Sequence, residues 1–487
     1  MLRASAVCEE AGVPTATLVC EGFLGLAAAA SQGQGMPNIG IAMVPGHTGV
    51  QSKEQLRENI LGVTQYNVVN ALLEKPADGT LEDEPSARDI VATGTLDEIN
   101  EYFITHELSD GLPIMPPTQA RIDAFLRYTE RKPDEVLGIL LPDMRAATIW
   151  SIAVNGVMAG CRPEYMPVLV ALIEAMCDPY YGNEHSGNTP GGETLILLNG
   201  PITKELGFNY TQGVMRDGFQ ANTSIGRFWR LYLRNIAGFL PHRNDKATFG
   251  NTFRVVVPEN EDVCKKIGWK TNSEDFGFKA GSNTVTISRF TGGNHVSSIS
   301  GAKPEDLMPY MSDSMQKLHS WHFLFTVGAE CGGTLRPLMF LSPILAELFA
   351  AHGWSKQDIK QKLWEQARVP AYHMERVSRD WTQKPSWDLA REVRMGRMPP
   401  VYHESDDPNR LVPIVWHPDD YMLVVTGDLG RNSGYIFAHN GVLGYPTARE
   451  IKLPPNWKEL RSADAAGKLK TASKTTPAKK GKPKNGS

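Results

Sequence analysis

Thiol, imidazole and carboxylate groups that could do chemistry gather at a few places in this chain. Cys20 closes the run Gly12-Val13-Pro14-Thr15-Ala16-Thr17-Leu18-Val19-Cys20-Glu21, at the end of a predicted strand that opens a helix. The partial positive charge of a helix start lowers a thiol pKa, and α/β folds bind ligands at the carboxyl ends of strands. The other use of such a residue is as a small hydrophobe inside a sheet. Cys331 stands in Gly328-Ala329-Glu330-Cys331-Gly332-Gly333-Thr334, where glycines let the backbone approach a ligand and turn amides toward an anion. His319 and His322 lie just upstream, three residues apart. With Glu330 and Cys331 they could ligate a divalent transition metal or supply a Cys–His pair, although the spacing matches no strong zinc pattern.

A second set is polar. Asn183-Glu184-His185-Ser186-Gly187-Asn188-Thr189-Pro190-Gly191-Gly192 is a glycine-rich loop before an apolar run, the composition of a substrate loop or of an ordinary surface loop. In it His185 is a candidate acid or base, Glu184 its orienting carboxylate and Asn188 a substrate contact. Arg227, Arg230 and Arg234 repeat at i, i+3 and i+7 on one helix face, with Arg243 and Lys246 beyond. Guanidinium forks suit a substrate carboxylate, but the acidic body favours internal ion pairs first. Asp110, in Ser109-Asp110-Gly111-Leu112-Pro113, shapes a turn or holds a rigid carboxylate in a substrate site. His403-Glu404-Ser405-Asp406-Asp407 and His417-Pro418-Asp419-Asp420 carry possible metal ligands in sequences that also suit turns and caps.

These residues need elements to position them. Residues 1–75 alternate strand (13–19), helix (22–31), strand (39–44) and helix (52–73), which predicts a partial Rossmann-like parallel-sheet module. Residues 76–94 read as a linker and 95–462 as a larger mixed α/β domain, so the fold class is α/β. Thr95-Leu96-Asp97-Glu98 is a capping box that starts a helix. Further helices are predicted at 146–159, 163–176, 224–238, 343–352, 355–368 and 374–395. Strands are expected at 195–198, 253–257, 284–288, 338–341, 412–416, 421–426 and 435–438.

The chain has 487 residues, 41% of them apolar, and a net charge of −4. Residues 463–487 read as a disordered basic tail. Seven lysines and one aspartate give it +6, leaving −10 for the rest. That balance argues against nucleic acid as a partner. Six scattered cysteines fit a reducing, cytoplasmic setting, and no apolar run is long enough to cross a bilayer.

Ala11-Gly12-Val13-Pro14-Thr15, Val19-Cys20-Glu21, Gly35-Met36-Pro37 and Val44-Pro45-Gly46-His47 together resemble the later part of UGSC-type selenoprotein or thiol domains. The resemblance extends more distantly to the selenoprotein B subunit of glycine and betaine reductases. The runs Pro116-Pro117-Thr118, Val157-Met158-Ala159-Gly160-Cys161-Arg162-Pro163-Glu164-Tyr165, Leu198-Asn199-Gly200-Pro201, Ala221-Asn222-Thr223-Ser224-Ile225-Gly226-Arg227 and Gly353-Trp354-Ser355 are similar to a domain fused to such modules. In those relatives a reactive Sec or Cys turn comes before the matched stretch. Its expected place falls before Met1, and Pro45-Gly46-His47 stands where relatives carry Pro-His-Pro. The resemblance therefore implies an enzyme subunit for thiol-dependent cleavage of a small, carboxylate-bearing substrate. A second subunit would carry the primary nucleophile, with Cys20, His47, His185 and Cys331 around it. A metal-dependent hydrolase or lyase, and a non-catalytic structural subunit, are the other two expectations.

Overall fold

Short β-branched and apolar stretches build a parallel pair at the N-terminus, β1 (Thr17–Cys20) and β2 (Ile41–Val44), in register from Thr17 opposite Ile41 to Cys20 opposite Val44. A helix over Leu2–Glu10 precedes them, and a helix over Leu24–Gly33 crosses between them. The computed structural model describes residues 2–73, 85–297, 299–319, 333–382, 384–439 and 444–463. After β2 the expected helix begins at Ser52, whose hydroxyl accepts from the Gln55 amide while the Gln55 side chain accepts from the Ser52 amide. It runs to Leu73 with one π turn at Ile60–Thr64.

The rest of the chain builds one mixed seven-stranded sheet. In chain order, the strands of this sheet and of two small two-stranded pairs are β3 (Val136–Leu140), β4 (Arg145–Thr148), β5 (Glu193–Asn199), β6 (Val256–Pro258), β7 (Thr284–Val296), β8 (Leu338–Leu341), β9 (Arg368–Pro370), β10 (Leu411–Pro413), β11 (Met422–Val425), β12 (Gly434–His439) and β13 (Thr447–Glu450). The sheet order is β11-β8-β12-β7-β5-β6, with β13 added on β7, while β3 pairs β4 and β9 pairs β10. β5 with β6 and β8 with β11 are parallel. β7 is antiparallel to β5, β12 and β13. All seven residues of β5 are buried, as expected of a strand covered on both faces.

One apolar core packs the helices at Ile149–Met158 and Met166–Met176 with the helix at Gln220–Tyr232 against β5 and β7. A second gathers the helices that cover β8 and β11. Between them lies a polar knot. The fully buried Glu259 carboxylate accepts from Asn199 Nδ2 at 2.8 Å, the Asn272 amide at 2.6 Å and Lys356 Nζ at 3.2 Å. An unpartnered buried carboxylate would be costly, and these donors compensate it. Among the described residues no helix is long and apolar enough to cross a membrane.

Several boundaries differ from the sequence reading. The helix expected at 374–395 is two, Ala371–Thr382 and Leu389–Arg394, separated around Lys384-Pro385 because proline cannot continue the backbone ladder. The helix expected from Ser224 starts at Gln220 and ends in a π turn at Leu233–Ala237, capped by Gly238 in the left-handed region. The strand read at 284–288 extends to Val296, because the polar half of it pairs with β12. Ala146–Thr148, read as helix, belongs to β4.

Candidate functional site

Two clusters survive folding. The first is at the carboxyl ends of β1 and β2. Cys20 ends β1, is partly buried, and caps the short 3-10 turn Glu21–Phe23. Directly across, β2 runs into Pro45-Gly46-His47. The Gly46 amide donates to Glu21 Oε2 at 3.2 Å, which ties the two strand ends together. His47 Nδ1 accepts from the Gly49 amide at 3.0 Å, and its ring lies 6.0 Å from that of Phe23. A thiol, a carboxylate and an imidazole therefore stand at adjoining strand ends, the edge at which α/β folds place ligands.

The second cluster is the 182–192 loop. Asn188 organises it from inside: its amide nitrogen donates to the His185 carbonyl at 2.9 Å and its oxygen accepts from the Gly192 amide at 3.0 Å. The loop is strapped to residues 246–251, with Lys246, Thr248 and Asn251 amides donating to the carbonyls of Gly187, Thr189 and Gly191. Gly191 has φ +70°, and a Cβ there would sit 2.7 Å from the Gly250 backbone, so only glycine lets the two segments approach. Buried Arg289 on β7 supports the loop from below, donating to the Gly182 carbonyl and to Ser186 Oγ at 2.9 Å while stacking 4.6 Å over the Tyr181 ring.

His185 Nε2 stands 3.9 Å from Glu184 Oε1, too far for a hydrogen bond. Burial lowers the imidazole pKa. Glu184 opposes that shift, while Arg289, Arg3 and Lys246 reinforce it. His185 is thus neutral near neutral pH and able to accept a proton. Arg3 comes from the N-terminal helix, and desolvation lowers its pKa against the pull of Glu184. Desolvation followed by the nearness of Arg3 lowers that of Lys246. Arg3, Arg289 and Lys246 therefore lie within electrostatic reach of His185, with Glu184 and Asp245 as the opposing charges nearby.

The arginine stripe is spent inside the fold. Arg227 grips Asp110 with both ends of its guanidinium, at 2.8 and 3.1 Å, and Arg254 adds a third contact at 3.5 Å. Burial works against the ionised Asp110, but the two arginines outweigh it and hold the carboxyl below its usual range. Arg230 reaches Glu193 at 3.2 Å and Asp245 at 3.4 Å, and Arg234 donates to the Glu107 carbonyl. Arg230 and Asn188 thus brace the loop region, while Asp110 and Arg227 tie the 110–113 turn to the helix Gln220–Tyr232.

Of the proposed metal pair, only His319 lies among the described residues. His319 is fully buried on the helix Pro304–His319, with Nδ1 2.8 Å from the Met315 carbonyl. His322, Glu330 and Cys331 lie outside the described residues. Among the described residues no group of three or more His, Cys, Asp or Glu is placed to hold a metal ion. The two His/acid sequences fold as turns: His403 lies 3.5 Å from exposed Asp406, and the His417 amide donates to Asp420 at 2.9 Å. Sequence reading missed Arg3 and Arg289. Arg289 left a signal, a charge amid the alternating apolar residues of Thr284–Phe290.

Residues 1–74, the stretch that holds Cys20 and His47, match the model of the UGSC family. No curated protein and no solved structure matches the chain.

Proposed function

We propose that this protein is a cytoplasmic subunit of a thiol-dependent enzyme that cleaves a bond to carbon in a small, carboxylate-bearing substrate. The observation that carries the reading is the UGSC-type segment itself, with Cys20, Glu21 and His47 at adjoining strand ends. The primary nucleophile comes from a partner subunit. Supporting a partner is the apolar surface of this segment: Leu18 on β1 is 49% exposed, and Leu61 and Tyr66 are more exposed still. Arg3 and Lys246 hold the substrate carboxylate. Neutral His185 takes the proton of the attacking thiol. The thiolate bonds to the substrate carbon, the leaving group departs with the electron pair, and His185 returns the proton to it. Cys20 is the second thiol: its thiolate attacks the sulfur of that thioether, the carbon leaves with the bonding pair and takes a proton, and the disulfide so formed is reduced by a cellular thiol donor. The free cysteines accord with a reducing compartment.

Alkylation mapping on the full chain tests this. With iodoacetamide near pH 7, Cys20 is expected to react and to be slowed several-fold by millimolar glycolate. Exposed Cys8 should react regardless of glycolate, and buried Cys161 and Cys264 should not react. A Cys20 that stays unmodified, or reacts at the same rate with glycolate present, overturns the proposal.

A further inference from the structure

The N-terminal segment leaves one strand edge and one helix face uncovered, and both are free of charge. Along a strand, successive residues turn their backbone groups to opposite sides. The Thr17 amide donates to the Gly40 carbonyl at 2.8 Å, so Thr17 and Val19 face β2 while Leu18 and Cys20 face away. Among the described residues β1 has a neighbour on the β2 side alone. The far edge of β2 is different, because the Met43 carbonyl there accepts from Asn67 Nδ2 at 3.2 Å. Edge strands are ordinarily shielded by charge, proline or a bulge, and Thr17–Cys20 has none of these.

The helix Leu2–Glu10 turns polar residues inward. Ser5 Oγ accepts from Thr17 Oγ1 at 2.8 Å, and Glu9 accepts from the Thr15 amide and hydroxyl. Its apolar stripe is outside instead. Ala4, Val7 and Cys8, at i, i+3 and i+4, are exposed, Val7 by 64%, and so is Ala11 just beyond the helix. Glu10, an exposed acid of this helix, stands roughly 100° off the stripe. A surface helix ordinarily lays such a stripe against a core and turns its polar face to water.

We infer that a second copy of this chain covers this surface, with the two β1 strands antiparallel across a two-fold axis and the two N-terminal helices meeting beside them. The contact is self-complementary, as a two-fold requires. Leu18 turns out one donor and one acceptor, and opposite Leu18 of the second copy it exchanges both bonds. The Cys20 amide then donates to the Ala16 carbonyl of the second copy. No charged side chain stands in the stripe or between Val13 and Cys20, so the axis brings no like charges together there. A surface without charge cannot select a partner by charge, whereas a copy of itself matches it group for group. Small side chains at Ala4, Cys8 and Ala11 let the two helices approach closely. Two marginal two-stranded sheets thereby become one sheet of order β2-β1-β1-β2. The contact takes Leu18, leaves Leu61 and Tyr66 open to the subunit proposed above, and stands or falls apart from the catalytic reading.

Analytical ultracentrifugation of the full chain tests the inference. At about 50 μM the mass should be near twice the 53.7 kDa of one chain, as a micromolar dissociation constant gives. Leu18→Pro removes an amide that faces away from β2, so the β1–β2 ladder survives while the pairing between copies is lost. Val7→Glu places carboxylates where the two helices meet. Each variant should weaken the dimer by about tenfold or more. In the wild-type dimer the Leu18 amide should exchange slowly with solvent, and faster on dilution. Where Leu18→Pro fails to fold, Val7→Glu decides, since Val7 is exposed in one chain. A single-chain mass at about 50 μM, or a dimer equally stable in both variants, overturns the contact.

Discussion

Residues 2–73 and residues 85–463 solve the same problem of covering apolar strands in opposite ways. In the larger region, β5, β8 and β11 are buried along their whole lengths, β5 and β8 with strands on either side and β11 at the sheet edge beside β8. In the N-terminal segment two four-residue strands make the whole sheet, and Leu18 on β1 is half exposed. A two-stranded sheet is marginal by itself. The segment leans on the larger region instead. Gly33, at the end of its crossing helix, packs so closely that a Cβ would meet the Pro142 carbonyl at 2.6 Å. Arg3 on its first helix lies within electrostatic reach of Glu184 and Lys246. The rigid part of the molecule presents the loop, and the exposed part presents the thiol.

That contrast can be broken at its strongest point. Glu259→Ala leaves Lys356 buried with one weaker partner, and about 3–5 kcal/mol of stability should be lost from the larger region. Urea unfolding measures it, and a loss under about 1 kcal/mol would show that the knot between the cores is dispensable. Gly33→Val sharpens the comparison at the join. Overpacking against Pro142 should cost about 1–3 kcal/mol locally. Hydrogen exchange should speed up in β1 and β2 and stay unchanged in β5; equal acceleration in both would mean that the two regions do not open separately.

The smallest effect is electrostatic. The folded His185 pKa lies below its ordinary 6.5, so the unfolded chain binds the extra proton first as pH falls. The stability due to this group is therefore present above about pH 6.5 and declines as pH drops through the window down to the folded pKa. The slope should be shallow, because the ring is partly solvated, and His185→Gln should remove it. A steeper loss of stability in His185→Gln over that window would contradict the burial argument.

Much of the fold was legible because period and capping act locally. The box at Thr95 closes as its sequence implies, and β8 spans Leu338–Leu341 as read. The second half of β7 was not legible. Thr291-Gly292-Gly293-Asn294 has no strand pattern, and pairing with β12 alone makes it one. The candidate site was legible residue by residue but not as an assembly. Cys20 and His47 were placed on successive strand ends by βαβ logic, whereas Arg3 joins Glu184 only through tertiary docking. The arginine stripe shows the converse: its spacing was visible, but its neutralisation by Asp110, Glu193 and Asp245 rests on contacts from outside its own helix.

The length of β7 has a consequence for how the larger region could be divided. Its first seven residues hold β5, its first four also hold β13, and its last seven hold β12. Any cut across the sheet near its middle severs a single continuous thread that both halves share. A fragment ending before Thr284 or beginning after Val296 keeps its helices but loses the edge on which its strands were ordered. The region therefore has no seam at which it could be expressed, swapped or grafted as two independent pieces.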